Sequence, residues 1–499
     1  MRHSPFRHGR LFVFSPVTPR VPFLPPSPHR LRFGLLAAVL VVLAGCTTPA
    51  PRPSAAPALP GAWTSPQPQG TATPELRAWW TYFHDPALDA LVGEALERNL
   101  DLAIANRRLR EARLQAGRAA VQFRPSFSAG ARTLQDIAAT DTYFHASIDM
   151  VWELGLFGAA DGVREAAEAD VEASAADRQG TRVAVVADVV RNYLDLQAAR
   201  RQLRLIDRLV QIDDRALQLA EVRRRTSTGT AEETAQARVR RAQALAARAV
   251  PEEARARAAQ ALSVLLGRMA PDPAWGTTGP GEPPALAPFA FASLPADLLR
   301  TRPDVQAAEA DVRKAAAELG LARSELFPRI SIMGSLLYSY NLTRNRRTTS
   351  DNAPAIGPAI DIPLFDWGRR RMQVDARQEA LEGASLAYER AVRGAVAEAE
   401  GALAALAAQQ GRADALAQAQ PALAERVRVG RIQARLGLSS EYDTLTAQRA
   451  ALQGEAEWST AQDARSLAFV ALYKALGGAP LPPAETAAAP PSETPRETP

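Results

Sequence analysis

The sequence predicts a mostly helical fold with a small β part, built from two similar halves. Three observations carry this reading. The first is a junction in which a short strand runs straight into a very long helix, and it occurs twice. At 355–371 the apolar Ile356, Ile360, Ile362 and Leu364 fall on alternate positions, Phe365 to Gly368 reads as a turn, and helix follows from Arg369 for about seventy residues. The stretch Ser147-Ile148-Asp149-Met150-Val151-Trp152, closed by Gly155 and Gly158, does the same, and no proline interrupts 159–228. The second is internal repetition. Arg110 matches Arg313, Gly117 matches Gly320, Pro125 matches Pro328 and Ser128 matches Ser331; the junctions pair Ile148 with Ile360, and the glycines that break the long helices pair Gly229 with Gly437. The third is composition: aromatics are only 6% of the 499 residues, and Ala, Arg, Glu and Gln dominate the middle, as in long helices.

Charge and residue counts exclude several function classes. The net charge is +5, yet residues 1–45 hold six arginines, no lysine and no acid, so the remainder carries 5 − 6 = −1. The basic balance belongs to the leader, and no nucleic-acid partner is expected. The one cysteine, Cys46, allows no internal disulfide. Only His84 and His145 lie beyond the leader, which gives little support to a His-based metal cluster or a His-dependent triad. Asp149 and Asp361 are the carboxylates that could suggest an enzyme; each falls on the polar side of a strand, where lining a channel is the plainer role, and no nucleophile–base set or phosphate loop accompanies them.

In chain order, Arg30 and Arg32 precede an apolar run, Phe33 to Leu43, and then small residues. This is the pattern of a secretory signal over 1–45, too short to span a bilayer comfortably. Leu43-Ala44-Gly45-Cys46 resembles the bacterial lipobox, in which the cysteine takes a diacylglycerol and becomes the mature N-terminus; Thr47 after it implies sorting to the outer membrane. The plainer alternative is an ordinary leader with a chance cysteine. Residues 46–74, rich in Pro, Ala, Ser and Thr, read as a lipid-anchored flexible tether. Asp85 and Pro86 begin a helix expected to continue through Asp101 to about Val121. Strands are expected over Ser126–Thr133 and Tyr143–Trp152, a long helix to about Thr228, and a return helix to about Leu266 with Pro251 as a kink. Thus 75–270 forms a first helix–strand–strand–helix–helix repeat, 271–293 a connector, 294–478 a second repeat, and 479–499 a disordered Pro-rich tail.

In the third strand Ile330, Ile332, Leu336, Tyr338 and Tyr340 alternate with Ser331, Met333, Ser335, Leu337 and Ser339. This fits a barrel wall with lipid on one side and water on the other; a soluble hairpin packed on a helix is the competing reading. Four strands cannot close a barrel, and an unclosed edge cannot sit in lipid, so membrane-spanning strands require several chains to share one barrel.

The sequence resembles the TolC-like outer membrane factor family of efflux ducts, in its NodT-type lipoprotein branch. The resemblance rests on Trp79-Trp80 with Phe83-His84-Asp85-Pro86, Asn99-Leu100-Asp101-Leu102, the run Leu294 to Val305 containing Arg300-Thr301-Arg302-Pro303-Asp304, Phe327-Pro328, Pro363-Leu364-Phe365-Asp366, Ala447-Gln448-Arg449, and Ala471 to Gly478. It covers about 75–478. It implies a homotrimer with a twelve-stranded barrel in the outer membrane and a helical tunnel in the periplasm, a periplasmic adaptor and an inner-membrane pump as partners, and no cofactor. In that family two acids three residues apart often follow the second glycine; here Asp443 takes the first place and Thr446 the second, and together they form the candidate tunnel constriction, with Gly229 and Gly437 at the helix-hairpin tips. Asp443 is expected about two turns into its helix. Its plain alternative is a solvated acid near a helix start, where the dipole favours negative charge. The function implied is a passive exit duct for small molecules; the competing class is a periplasmic helical lipoprotein that scaffolds the envelope without a pore.

Overall fold

The computed structural model describes residues 62–68, 76–135, 141–276, 286, 289–290, 299–347 and 354–478, all within one unit, Ala50–Pro499. The expected signal over 1–45, Cys46 and the expected tail after 478 lie outside them. After a 3-10 turn, Leu76–Phe83, the elements run α1 (Pro86–Arg98), α2 (Leu100–Val121), β1 (Ser126–Gln135), β2 (Thr142–Glu153), α3 (Ala159–Arg225), α4 (Ala231–Ala246), α5 (Ala249–Leu265), α6 (Pro303–Ser324), β3 (Arg329–Asn341), β4 (Arg346–Arg347), β5 (Pro354–Asp361), α7 (Arg369–Arg435) and α8 (Glu441–Ala475). Mostly helix with a small sheet is thus the fold observed. α3 and α7 are each 67 residues long, about 100 Å at 1.5 Å per residue.

The duplication is closer in the structure than in the letters. α2 and α6 are both 22 residues, with Leu100 matching Pro303 and Val121 matching Ser324, a displacement of 203. Ala159 matches Arg369 and Arg225 matches Arg435, a displacement of 210 at both ends. The strands obey the same numbers: the pair Ser126–Val151 in β1–β2 corresponds to Arg329–Asp361 in β3–β5. Two sequence pairings are therefore corrected. Ile148 corresponds to Pro358 rather than Ile360, and Gly437 corresponds to Ser227 rather than Gly229. Apolar alternation tolerates a two-residue slip because it preserves the face; hydrogen-bond register does not.

One helix expected to be continuous is broken, and the return helix parts close to the kink expected at Pro251. At Asn99 the backbone turns extended (φ −64°, ψ 129°) between α1 and α2. The buried Asn99 side chain accepts from Leu102 N–H at 3.0 Å and donates to Leu265 O at 2.9 Å, so it caps α2 and ties it to α5. The return helix stops at Ala246 and resumes at Ala249; Pro251 has no N–H to offer the Ala247 carbonyl, so the ladder parts just before it.

The sheet is antiparallel in the order β1-β2-β3, with β4 and β5 both pairing β3. The expected fourth strand is thus present in two pieces. β1 and β5 pair on one side only among the described residues, and the prolines of β5, Pro354 and Pro358, lie on such an edge.

The main core sits away from the sheet, where α1, α3, α5, α7 and α8 meet. Trp79, Trp80, Phe83, Phe289, Phe469 and Tyr473 are buried there, with Trp79 stacked on Tyr473 at 5.6 Å. Two of the resembling motifs are explained by this packing. Buried Arg302 donates to Asp304 (2.8 Å), to Glu398 of α7 (2.7 Å) and to the Ala475 carbonyl at the end of α8. A side chain at Gly477, where φ is +86°, would press on Arg302 at 3.0 Å. Residues 62–68 also depart from the tether reading: Trp63 is buried in this core, and a large aromatic side chain outweighs the low apolar content around it.

Candidate functional site

Two regions hold the candidate site residues: one face of the sheet and the two turns at the far ends of α3 and α7. In an antiparallel sheet, residues directly opposite share a face. One row therefore runs Ser128, Asp149, Ser335, Ala355 across all four strands; its neighbours hold Gly130, Ser147 and Leu337, and Ser126, Val151, Met333 and Gly357, and beyond these come Arg132, His145 and Ser339, and Glu153, Ser331 and Ala359. The opposite face carries Ala129, Ile148, Leu336 and Pro354 in one row, Phe127, Met150, Gly334 and Ile356 in another, and Phe144 opposite Tyr340 towards the β1–β2 loop end. At the centre of the polar face the Asp149 carboxylate receives Ser335 Oγ at 2.6 Å and Ser147 Oγ at 2.7 Å. Asp361 lies on this face too, opposite Arg329. The polar alternation expected of β3 thus extends to the whole sheet. No helix among the described residues is long and apolar enough to cross a membrane.

The turns at the other end are built alike. Leu438 N–H reaches back to the Gln433 carbonyl and Thr228 N–H to the Arg223 carbonyl, both at 2.8 Å, closing the helices with the same C-terminal motif. The left-handed residue is Gly437 (φ +72°) in one turn and Ser227 (φ +55°) in the other. Gly229 is required for another reason: a Cβ there would lie 2.8 Å from the Arg223 side chain.

Asp443 is not two turns into α8. It is the third residue of that helix, because Ser440 caps it: the Ser440 side chain accepts from Asp443 N–H, and Asp443 in return accepts from Ser440 N–H at 3.0 Å and Ser440 Oγ at 2.7 Å. Hydrogen bonds from the Ser440 hydroxyl, then from its backbone, hold the Asp443 carboxyl below the usual aspartate range. The Ser440-x-x-Asp443 spacing is the sequence signal that would have placed Asp443 in the first turn, and the expectation of two turns passes over it. Asp443 and Thr446 are both exposed, three residues apart on one side of α8. In the other turn Thr230 caps α4 and Glu233 stands where Asp443 does, so the repeat supplies a second acid that the letter-by-letter pairing missed.

Cross-helix ties surround these tips. Arg215 of α3 grips Glu441 of α8 through two bonds of 2.7 and 2.9 Å. Arg240 of α4 donates to the Tyr442 hydroxyl and lies over its ring, 5.7 Å from the centroid. Glu441 points away from Asp443 and is already neutralised by Arg215. Among the described residues no three His, Cys, Asp or Glu side chains could hold a metal ion.

The profile of the outer membrane efflux protein family matches residues 91–268 and 294–478, one stretch for each half. The chain belongs to the outer membrane efflux protein family. Outer membrane protein OprJ of Pseudomonas aeruginosa is 29% identical over 408 residues, covering 78% of this chain and 85% of that one. Nodulation protein T of Rhizobium leguminosarum bv. trifolii is 26% identical over 412 residues, covering 80% and 86%. Among solved structures, the open state of the Neisseria gonorrhoeae outer membrane channel MtrE superposes with a TM-score of 0.74 at 26% identity, covering 87% of this chain and 98% of that one. The resemblance read from the motifs is thus met by the family match. Its relatives are efflux channels rather than enzymes.

Proposed function

We propose that three copies of this chain share one transmembrane barrel and one helical tunnel, and serve as the passive exit duct of a tripartite efflux system with a periplasmic adaptor and an inner-membrane pump. The observation that carries this reading is the sheet: Ser128, Arg132, Asp149, Ser335 and Ser339 gather on one face with a few apolar residues between them, Phe127, Ile148, Leu336 and Ile356 lie on the other, and both edges are open among the described residues. Such a sheet is stable in lipid only when closed, and four strands from each of three chains give twelve, an ordinary barrel size. The similarity to the toluene efflux pump outer membrane protein TtgI of Pseudomonas putida and the pyoverdine export outer membrane protein OpmQ of Pseudomonas aeruginosa supports an exit-duct role. A non-pore scaffold has no use for a continuous polar strand face.

In this reading 1–45 is the signal, Cys46 is lipidated at the head of a 46–74 segment anchored in the outer membrane, and 75–270 and 294–478 are the two repeats joined by 271–293. The probable outer membrane lipoprotein SilC of Salmonella typhimurium, 26% identical over 321 residues, is consistent with such an anchor. Gly229 and Gly437 mark the periplasmic tips, and Asp443 with Thr446 lines the constriction. A single ring of three aspartates at a narrow point favours cations.

Planar bilayers test this. The purified protein gives discrete conductance steps; a stable monomer without conductance would establish the scaffold instead. Mass spectrometry of the mature N-terminus reads Cys46 directly: lipid on its sulfur supports the anchor, and an unmodified Cys46 removes it.

A further inference from the structure

The sheet carries charged groups at the end opposite the helices. α2 enters β1 at Ser126 and β2 leaves for α3 after Glu153, so the Gln135 and Thr142 end of the β1–β2 hairpin lies farthest from the helical body. On the polar face this end is basic. Arg132 of β1, His145 of β2 and Ser339 of β3 share one row. One row further out, Tyr143 and Asn341 lie with Arg346 of β4. Asp141 also stands at this end, but Arg344 takes it at 2.9 Å. Going inward, the first acid on this face among the described residues is Asp149, four residues along β2 from His145. That is about 13 Å at 3.3 Å per residue.

His145 is the one histidine of the described sheet. Its ring meets Tyr143 edge-on at 6.1 Å. Its Nδ1 is shielded from solvent and has no hydrogen-bond partner among the described residues. Arg132 stands directly opposite on one side and Ser339 on the other. Neither is an acid, so a proton gained by His145 is not neutralised by its cross-strand neighbours. Histidine is the side chain whose charge ordinarily changes between pH 5 and 8. The other two groups that bear on this range, His84 and Asp463, lie outside the sheet; burial pushes the Asp463 carboxyl up to about 6.

We infer that Arg132 and His145 form a basic collar in the outer part of the bore, and that His145 makes its ion preference depend on the pH at the outer mouth. The inference rests on the duct reading and adds a second selectivity element to it. At neutral pH the Arg132 charge is offset by Asp149 further in. Acid then adds one positive charge per chain at the same level of a closed barrel. Rings of basic side chains favour anions, and low-dielectric walls focus their field on the bore. The preference therefore moves towards anions as the outer pH falls through the histidine range. Asp443 lies at the other end of helices about 100 Å long, far beyond a Debye length of about 8 Å. The collar thus modifies the preference set at the tips and does not replace it.

A planar bilayer tests the two ends separately. Protein added to one chamber inserts with its sheet and keeps its helices on that side, so the opposite chamber bathes the outer mouth. Under a KCl gradient, the pH of the opposite chamber alone is lowered from about 7.5 to about 5.5, a span that brackets histidine titration. The wild-type reversal potential is expected to shift towards the chloride potential. His145→Gln is expected to lose this shift while keeping wild-type conductance steps at neutral pH. His145→Lys should show at neutral pH the reversal potential that wild type reaches in acid, and Asp463→Asn should keep the wild-type shift. Equal shifts in wild type and His145→Gln, or a shift that appears only when the helix-side chamber is acidified, would overturn the assignment. A wild type without conductance removes the duct reading itself, whereas conductance with an unchanged pH response in His145→Gln removes only the collar.

Discussion

The Glu400 carboxylate of α7 takes the backbone N–H of Thr64 at 2.7 Å and of Ser65 at 2.8 Å, and the Ser65 hydroxyl donates to the Glu400 carbonyl at 3.2 Å. One side chain thus docks the N-terminal segment on the helical body and sets Trp63 into the core. Burial pushes the Glu400 carboxyl up, but the Ser65 and Thr64 donors outweigh it and hold it at about 2. A depressed carboxyl contributes docking that is full above its unfolded value, near 4.5, and lost as pH falls from there towards 2. Hydrogen exchange at 62–68 is therefore expected to be slow at neutral pH and to become fast in Glu400→Gln at the same pH. Equal protection in both proteins would show that Trp63 alone holds the segment.

Asn99 caps α2 and satisfies the Leu265 carbonyl from a buried position. Asn99→Ala removes the cap and leaves that carbonyl unpaired, a loss of about 1–3 kcal/mol. The trimer of this variant is expected to come apart on heated gels at a lower temperature than wild type. Asp101→Ala, at an exposed neighbouring position, is the comparison and should leave the transition within a few degrees.

Asp443→Asn is expected to lower cation selectivity in bilayers with little effect on trimer yield, because Asn still accepts the Ser440 bonds. Glu441→Gln should leave selectivity unchanged, since Arg215 already balances that charge. Because Asp443 titrates below the ordinary range, selectivity should persist as pH is lowered through about 4. Selectivity that vanishes well above that pH would assign it to another acid.

Tyr442→Phe removes the acceptor for Arg240 while keeping the ring beneath the guanidinium. Exposed ties of this kind are each worth about 1 kcal/mol or less, so the single change should raise conductance slightly and Tyr442→Phe with Arg215→Ser more. Unchanged conductance in the double variant would mean that these ties do not restrain the tips.

Much of this protein is determined locally. The 3.6-residue and two-residue periods, Asp85-Pro86 at a helix start and the proline-free stretch after Gly158 each act within a few residues. The helices, the strands and the two-fold repetition were therefore legible in the letters. What the letters left open depended on partners far away in the chain. Asn99 breaks a helix because Leu265, 166 residues on, offers its carbonyl. Trp63 is no tether residue because Glu400 holds its neighbours, and Arg302 belongs to a clasp that includes Ala475. Register also needed the tertiary structure: a two-residue slip keeps every side chain on its face, so periodicity could not separate displacements of 208, 210 and 212. Hydrogen bonds between strands, and the placement of Gly437 against Ser227 at matched helix ends, chose 210. That choice also supplied Glu233 as the counterpart of Asp443.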